Sequence, residues 1–389
     1  MALSHKVYRF RLEPTVTQAR GLVQQAGARR WVWNWALARR RTHYQATQTS
    51  LSFKELSTEL TAVKHQPATA WLQTMDSQLL QQSLRDLQAA FSRFFAKDAR
   101  FPRFKSRKRD RLRFRIPQRV QLKGSRVYVP KVGWVRIRQS QPVLEPTRSA
   151  TFAQDAVGQW FVTLTVEHEI PEGPTGPPAT VVGIDLGLTT AAVLSDGTSI
   201  PAPRCFRTAE RTLAKAQRAV SRKHLGSMRR RKATQQVARV YQRTTRQRQD
   251  FLHKLTTQLV TTYDAFCLED LSVTGLARTK LAKSVLDAAP GEFRRQLAYK
   301  AQWAGKPLLV VDRFFPSSKR CSACGTLKAD LTLKERVWTC AACGTHHERD
   351  HNAALNLRDE GLRLLAVGHP DSHNAQGDCV SPGTPGNGR

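Results

Sequence analysis

Four cysteines in two closely spaced pairs are the strongest chemical signal in the sequence. Cys321 and Cys324 form one C-x-x-C pair and Cys340 and Cys343 form the other, with fifteen residues between the pairs and a glycine directly after each. This spacing is typical of a tetrahedral zinc site with four thiolate ligands, and each glycine permits the tight turn that points backbone amides toward the sulfurs. Because four protein ligands complete the coordination sphere, the spacing predicts a structural zinc ion rather than a catalytic one.

Two histidines follow the second cysteine pair in the run "CGTHHERD". Since four thiolates are sufficient for the metal, His346 and His347 are surplus ligands, and we expect both to lie on the surface, near phosphate. The remaining cysteines, Cys205, Cys267 and Cys379, show no pairing signal.

Two acidic residues stand at the ends of short apolar stretches. The stretch "VVGID" ends on Asp185, and in "AFCLED" Glu269 follows four largely apolar residues. An ionised carboxylate beside a hydrophobic core is costly unless a cation or hydrogen bonds compensate it. Two such carboxylates in one domain predict a shared cation, in agreement with the tendency of open α/β sheets to bind ligands at the carboxyl ends of their strands.

A site for hard divalent ions needs a third acid, because Mg²⁺ prefers a few carboxylates together with water and phosphate oxygens. Asp312 ends the apolar stretch "PLLVVD" in the same way as the first two acids. Asp350 precedes the helical pattern "HNAALNLRDEGLRLL", where it also suits the role of N-cap. Periodicity does not choose between Asp312 and Asp350.

The chain is strongly basic. Its 389 residues include 63 Lys and Arg against 30 Asp and Glu, which gives a formal net charge of +33. Such an excess in a chain with 40 % hydrophobic residues indicates a folded protein with a polyanionic partner, and nucleic acid fits better than a membrane surface. The N-terminus lacks the apolar region of a signal peptide and no apolar run is long enough to span a bilayer, so we expect a cytoplasmic, nucleoid-associated protein.

Two segments concentrate the positive charge. The segment "ARFPRFKSRKRDRLRFRIP" alternates basic and aromatic residues, and "SMRRRKATQQVARVYQRTTRQRQD" lies within a single long helical stretch that we predict from Phe206 to about Leu259. Basic side chains neutralise phosphates, and aromatic rings between them stack on unpaired bases. The candidate nucleic-acid contacts are Arg103, Lys105, Arg107, Lys108, Arg109, Arg229, Arg230, Arg231 and Lys232.

The elements that must position these residues differ between the two halves of the chain. "VYRFRL" alternates as a strand, Gln18 to Tyr44 has helical spacing, and a second helix opens on Asp76 or Ser77. Residues 116–170 then read as short strands between Gly and Pro turns, and the Pro- and Gly-rich residues 169–179 predict a linker.

Beyond the linker, strands alternate with helices. "TVVGIDLGLTTAAVLSDGTSI" predicts two strands joined tightly through Gly187, and "AFCLED" and "PLLVVD" predict two more, separated by a helix around "GEFRRQLAYKAQWAG". This alternation predicts an α/β domain. The Gly-, Pro- and Ser-rich tail, residues 371–389, is predicted to be disordered.

Several motifs in a fixed order resemble a known family. "GIDLGL", "LEDLSVTGL", "FPSSKRCSACG" and "ERVWTCAACGTHHERDHNAALNL" resemble TnpB, a family encoded in bacterial insertion sequences and similar to the type V CRISPR effectors. "YRFRLEPTVTQ", "RRWVWNWAL" and "FPRFKSRK" extend the resemblance to about residues 5–370. It implies a RuvC-like nuclease domain of RNase H fold, whose catalytic, Mg²⁺-binding acids fall on Asp185, Glu269 and Asp350. Asp312 then becomes a structural strand-end residue.

The resemblance also implies a multi-domain architecture of α/β and β parts. The expected parts are a wedge-like β module from residues 1–13 and 116–178, a helical recognition lobe from 14–115, an RNase H-like (RuvC) nuclease domain from 179–315 and 348–370, an inserted four-cysteine zinc ribbon from 316–347, and the tail.

The function implied by the resemblance is that of an RNA-guided DNA endonuclease, with two Mg²⁺ ions at the acidic triad and a structural Zn²⁺ in the ribbon. Its expected partners are a guide RNA made from the transposon end, double-stranded target DNA with a short flanking motif, and a transposase encoded by the same element. The alternatives are a nuclease-inactive, RNA-guided DNA-binding regulator and an unguided transposase or resolvase of the same fold.

Overall fold

The computed structural model describes residues 2–171, 177–332 and 334–367, and the chain divides into two compact units. The first consists of residues 3–168, and the second is formed mainly by the residues from 169 onward. Residues 172–176 of the predicted linker and the predicted tail lie outside the described residues. The predicted start of the linker at residue 169 was wrong, because residues 169 and 170 still belong to a strand.

The first unit combines a seven-stranded sheet with helices. The strands are β1 (Ala2–Glu13), β2 (Arg113–Ile116), β3 (Leu122–Lys123), β4 (Arg126–Val129), β5 (Gly133–Arg138), β6 (Thr147–Gln154) and β7 (Trp160–Ile170), in the sheet order β2-β6-β7-β1-β5-β4-β3. The helices are α1 (Val16–Thr47), α2 (Phe53–Lys64), a 3₁₀ helix (Pro67–Thr74) and α3 (Ser77–Phe95).

Local signals begin α1 and α3, and the cap at Asp76 was predicted, whereas α2 and the 3₁₀ helix were not predicted. Thr15 and Gln18 form a capping box that begins α1, and Asp76 accepts a hydrogen bond from the backbone amide of Leu79 at the start of α3. Alternate residues of β1 pack in one core with the buried faces of α1 and α3. The predicted boundary between residues 115 and 116 falls inside β2, which begins three residues earlier.

The second unit contains a five-stranded mixed sheet, further helices and a small hairpin. The strands are β8 (Val181–Asp185), β9 (Thr190–Leu194), β10 (Ser199–Pro201), β11 (Ala265–Glu269), β12 (Leu308–Val311), β13 (Val337–Thr339) and β14 (His346–Glu348). The helices are α4 (Cys205–Ser221), α5 (Met228–Thr262), α6 (Val273–Leu276), α7 (Ala282–Ala288), α8 (Pro290–Trp303) and α9 (Arg349–Ala366).

The strand order of the large sheet is β10-β9-β8-β11-β12. β9 is antiparallel to both of its neighbours, whereas β11 runs parallel to β8 on one side and to β12 on the other. The carboxyl ends of β8, β11 and β12 therefore lie at one edge of the sheet. β13 and β14 pair separately, and the predicted end of the ribbon at residue 347 falls inside β14.

The long helical stretch predicted from Phe206 is two helices, so the prediction of a single helix was wrong. α4 ends at Ser221 and α5 begins at Met228. Between them Gly226 has φ of +82°, a conformation that favours glycine, and the Ser227 side chain accepts a hydrogen bond from the Arg230 amide as N-cap of α5. No helix in the described part of the chain is long and apolar enough to cross a membrane.

α9 packs against β8, β11 and β12 at unusually close range. A Cβ atom on Gly183, in the middle of β8, would lie 1.9 Å from the Ala354 carbonyl oxygen. A Cβ atom on Gly361 would lie 2.1 Å from the Sγ of Cys267 on β11. The missing side chains allow the helix to rest directly on the strands, which fixes the position of its first turn.

Candidate functional site

A cleft of about 950 Å³ in the second unit collects three acids from separate elements. Asp185 ends β8, Glu269 ends β11, and Asp350 lies in the first turn of α9. Burial, and then the charges of Asp350 and Glu269, raise the pKa of Asp185 to about 7. The negative charges of Asp350 and Glu269 therefore both act on Asp185.

Adjacent acids at the end of β11 have different surroundings. Glu269 lines the cleft, and burial followed by the charge of Asp270 raises the pKa of Glu269. Asp270 accepts hydrogen bonds from Arg294, at 2.6 Å, and from Arg313, and the bond from Arg294 is the main cause that lowers the pKa of Asp270. Glu269 is thus the member of this pair that is available to a ligand in the cleft.

Asp350 is not the N-cap of α9, so that alternative was wrong. Glu348 occupies the cap position, and Asp350 lies inside the first turn, where the helix dipole favours a negative charge. Both oxygens of Asp350 are 3.4 Å from the Arg336 guanidinium.

Asp312 lies outside the cleft. It directly follows β12, is exposed, and accepts a hydrogen bond of 2.7 Å from the Phe314 amide in the turn that leaves the strand. The structure therefore places Asp350, and not Asp312, beside the first two acids.

Cationic side chains line the same cleft. They are Arg204, Arg207, Arg248, Arg336 and Arg349. Arginine at this position suits the phosphates of a nucleic-acid strand. A further buried acid, Asp287, accepts hydrogen bonds from the Phe206 and Arg207 amides and so caps α4 from another helix; no local sequence signal indicates this long-range cap.

The acids of the cleft have the donor chemistry that a hard divalent cation needs. They offer carboxylate oxygens, and within the described residues neither Asp185 nor Glu269 forms an ion pair. A bound cation would offset both the burial and the neighbouring negative charges that raise the pKa of Asp185. The donor chemistry of these acids therefore suits Mg²⁺.

The four cysteines converge more tightly than any other group of potential metal ligands in the described residues, with all Sγ atoms within 4.8 Å of one another. Cys321 and Cys343 are 3.6 Å apart at sulfur, as are Cys324 and Cys340. A tetrahedron with Zn–S bonds of the usual length has sulfurs about 3.8 Å apart. The thiols are thus arranged to bind zinc.

Glycines complete the two turns of this cysteine cluster as predicted. Gly325 and Gly344 have φ of +80° and +73°, and their amides donate 2.9 Å hydrogen bonds to the carbonyls of Cys321 and Cys340. These conformations suit glycine, because other residues adopt them rarely.

The prediction that His347 lies on the surface was wrong. Only 5 % of His347 is exposed, its Nε2 is 3.0 Å from the Cys321 Sγ, and its ring packs on Trp338. His346 is exposed, as expected, and its Nδ1 is 2.7 Å from the Thr339 hydroxyl. The alternation of β14 turns neighbouring side chains to opposite faces, which places only one histidine against the cysteines.

Two buried asparagines join the cysteine cluster to α9. Asn352 accepts a 2.9 Å hydrogen bond from the Ser322 amide, between the first two cysteines, and donates a 2.8 Å bond to the Arg320 carbonyl. Asn356, one turn later, donates to the Ser317 and Arg320 carbonyls at 2.7 and 2.6 Å. Asp350 lies two residues before the first of these asparagines, so the cluster and the acidic cleft share one rigid helix. The sequence analysis missed both asparagines, although their spacing of four residues is a helical signal.

Comparison with known proteins identifies the family. A protein of Streptomyces pristinaespiralis described as "Putative RNA-guided DNA endonuclease" is 42 % identical over 93 % of this chain and 91 % of its own length. A second relative with that description, InsQ of Escherichia coli (strain K12), is 34 % identical over 93 % of this chain and 94 % of its own length. The chain belongs to the TnpB family.

Models of protein families cover three parts of this TnpB-family chain. A model described as "Probable transposase" matches residues 162–280, and a "Cas12f1-like, TNB domain" model matches 291–357, which include the four cysteines. A "Helix-turn-helix domain" model matches residues 1–49, and the described part of this range, residues 2–49, contains β1 and α1.

The fold also has a solved counterpart. A structure titled "Cryo-EM structure of the Cas12f1-sgRNA-target DNA complex" aligns with a TM-score of 0.53 over 92 % of this TnpB-family chain and 99 % of the other, at 12 % identity. At this identity the likeness concerns the fold alone.

The candidate nucleic-acid contacts of the TnpB-family chain have different surroundings. Most are exposed: Arg103, Arg107, Lys108, Arg109, Arg229, Arg231 and Lys232. Lys105 is half-buried with its Nζ 3.6 Å from the centre of the Trp33 ring, and burial lowers the pKa of Lys105 to about 8. Arg230 donates to the Val220 and Lys223 carbonyls and closes the turn between α4 and α5.

Proposed function

We propose that the protein is an RNA-guided DNA endonuclease of an insertion sequence, which cuts DNA by metal-dependent phosphodiester hydrolysis. The observation that carries this proposal is the meeting of Asp185, Glu269 and Asp350 in one arginine-lined cleft. The relatives described as RNA-guided DNA endonucleases support the same reaction class.

The second unit supplies the chemistry in this proposal as a RuvC-like nuclease domain of RNase H fold. Asp185, Glu269 and Asp350 would hold two Mg²⁺ ions through their carboxylate oxygens. Bound divalent ions supply Lewis acidity, which activates water and stabilises the leaving oxygen of the phosphodiester. The arginines of the cleft hold and orient the phosphate of the strand to be cut.

The remaining parts have supporting roles in the proposal. The four cysteines bind a structural Zn²⁺, and the buried asparagines of α9 transmit the order of this ribbon to Asp350. The sheet of the first unit is the wedge-like module, and α1 to α3 form the helical recognition lobe. Together they hold the backbone of the guide–target duplex and read a short motif beside the target, while base pairing reads the sequence.

The test uses a matched pair of acids at strand ends. The protein is purified with RNA from its own transposon end and incubated with Mg²⁺ and a plasmid library that carries the guide-matched target beside randomised flanks. Asp185→Asn should abolish cutting and leave RNA and DNA binding within about twofold, whereas Asp312→Asn should cut like the wild type. Cutting by the Asp185→Asn protein would refute the assignment of the site.

The same assay separates the two alternatives. Cutting by RNA-free protein would identify an unguided transposase or resolvase. If the wild-type protein bound the target in an RNA-dependent way but cut it beside none of the flanking sequences, the protein would be a DNA-binding regulator.

A further inference from the structure

The first unit contains a cavity of about 340 Å³ where the C-terminal parts of α1 and α3 meet the loop that follows α3. We name it the α1–α3 cavity. Its lining includes Arg40, Arg41, Tyr44, Phe94, Phe95 and Phe101. No acidic residue lines it. This volume is at the lower end of the range of small-ligand pockets and is too small for a duplex.

Aromatic rings form much of the wall of the α1–α3 cavity. Phe101 meets Phe91 and Phe94 edge-on, with ring centres 5.5 and 5.3 Å apart. Phe95 is 67 % exposed and Phe101 47 % exposed, although both are large apolar side chains. A group of exposed rings in a soluble unit marks a binding surface, and exposed rings of this kind stack on unpaired bases.

Arg40 is a buried cation that forms no ion pair with any residue that the structure describes. It is 5 % exposed, and its Nε has no hydrogen-bond partner. Its Nη2 donates only to the neutral amide of Gln88, and its guanidinium lies 4.8 Å from the Phe91 ring centre. A buried guanidinium stays charged, and burial without an anion is costly. An anion in the cavity would offset this cost.

One ligand chemistry meets both requirements, a planar aromatic group joined to an anionic group. We propose that the α1–α3 cavity binds a single unpaired nucleotide, with its base against Phe95 and Phe101 and its phosphate near Arg40 and Arg41. The absence of lining acids and the net charge of +33 favour an anionic ligand. The exposed rings of Phe95 and Phe101 favour a nucleotide over an acidic peptide, because a base stacks on them.

The test measures base stacking in EDTA, so that it is independent of cleavage. Single-stranded RNA and DNA hexamers with one 2-aminopurine are titrated with the full chain, because stacking quenches the fluorescence of this base. Phe101→Leu and Phe95→Leu keep the apolar volume and remove the rings. Each should weaken the quenching-detected affinity about fivefold or more, and Phe314→Leu, at an 84 % exposed phenylalanine in the other unit, should leave it unchanged.

A second measurement addresses the buried cation. Arg40→Gln should lower the slope of log affinity against log salt by about 0.7, the value expected for one phosphate contact of a single strand. A titration with 2-aminopurine ribonucleotide monophosphate distinguishes a free nucleotide, which would bind as tightly as the hexamers, from a nucleotide within a strand. If both phenylalanine variants quenched the 2-aminopurine fluorescence with the same affinity as the wild type, the proposal would be overturned. A loss of self-association in these variants without a change in quenching would also overturn it and would assign the rings to a protein interface.

Discussion

At the scale of single residues, His347 lies beside the cysteine cluster, although counting the four cysteine ligands gave no reason to expect it there. Four cysteines satisfy the count, yet the Nε2 of this histidine lies 3.0 Å from the Cys321 Sγ. A donor to a thiolate ligand stabilises the charge on sulfur and fixes the ligand's orientation. We therefore predict that this histidine supports zinc binding by the cysteine cluster.

His347→Phe tests this role. The substitution keeps a ring against Trp338 and removes the nitrogen, so we expect zinc affinity to fall about 10- to 100-fold. His346→Phe, at the exposed neighbour, should bind zinc like the wild type. Competition of each protein with a chromogenic chelator gives the affinities, and equal values for the two variants would contradict the role.

Lys105 gives a prediction about pH. Burial lowers the pKa of this lysine from about 10.5 to about 8 in the folded protein, while in the unfolded chain it keeps its ordinary value. Between pH 8 and pH 10.5 the unfolded chain therefore binds more protons at this lysine than the folded protein does. The lysine lowers the free energy of unfolding most below pH 8, and this destabilisation decreases as the pH rises.

Urea unfolding at several pH values between about 7.5 and 9.5 measures this effect. Relative to Lys105→Met, the wild type should gain free energy of unfolding as the pH rises, by at most about 1.4 kcal/mol per pH unit. The exposed Lys108, changed to Met, should show no such pH-dependent difference. A pH-independent difference for Lys105→Met would mean that its ammonium is solvated in the folded state.

At the scale of elements, the packing of α9 on β8 decides where the third acid lies. Local patterns predicted both elements, but their register depends on the absence of a side chain at Gly183. A backbone carbonyl, unlike a side chain, cannot move away by changing rotamer.

Gly183→Ala should therefore lower the free energy of unfolding of the second unit by about 3 kcal/mol or more. It should also weaken cleavage, because the first turn of α9 carries Asp350. Gly27→Ala is the control: its Cβ would meet nothing within 4 Å inside α1, and we expect a gain of about 1 kcal/mol from helix propensity. Chemical unfolding measures the free energy of unfolding of both variants. If Gly183→Ala were as stable as the wild type, α9 would be free to shift on the sheet.

Two local signals agree with the sequence analysis, the cap at Asp76 and the turn at Gly187, whereas α2 was missed despite its capping box, and so was the break in the long basic stretch. The capping residues of α1 and α3 and the turn at Gly187 mark boundaries that the chain encodes within a few residues. The break between α4 and α5 was missed because the basic pattern continues across it. A helix with few buried residues carries too weak a periodicity to reveal such an end.

At the scale of the whole molecule, the net charge of +33 predicts a strongly salt-dependent affinity for RNA. The exposed cations at the start of α5 are one source of this salt dependence. Neutralising Arg229, Arg231 and Lys232 together to Gln should reduce the slope of log affinity against log salt by about 2, since each phosphate contact contributes about 0.7.

Arg230→Gln is the matched control for the salt series, because this guanidinium bonds to backbone carbonyls and supports the turn before α5. Filter binding of the transposon-end RNA at several NaCl concentrations gives the slopes. An unchanged slope in the triple variant would remove this end of α5 from the RNA-binding surface.

The sequence by itself determined the four-cysteine cluster, the strongly basic character, the family resemblance and the acids at the ends of β8 and β11. Each of these depends on composition or on residues close together in the chain. Local periodicity left Asp312 and Asp350 equivalent, and within the sequence only the family resemblance favoured Asp350. The tertiary structure then placed Asp350 in the cleft with the first two acids and left Asp312 outside it. The close packing that Gly183 allows brings the first turn of α9 to the carboxyl end of β8, while Asp312 turns into its own loop. The same long-range packing buried His347 and connected the cysteine cluster to α9, and contacts between residues distant in sequence leave no pattern in a single chain.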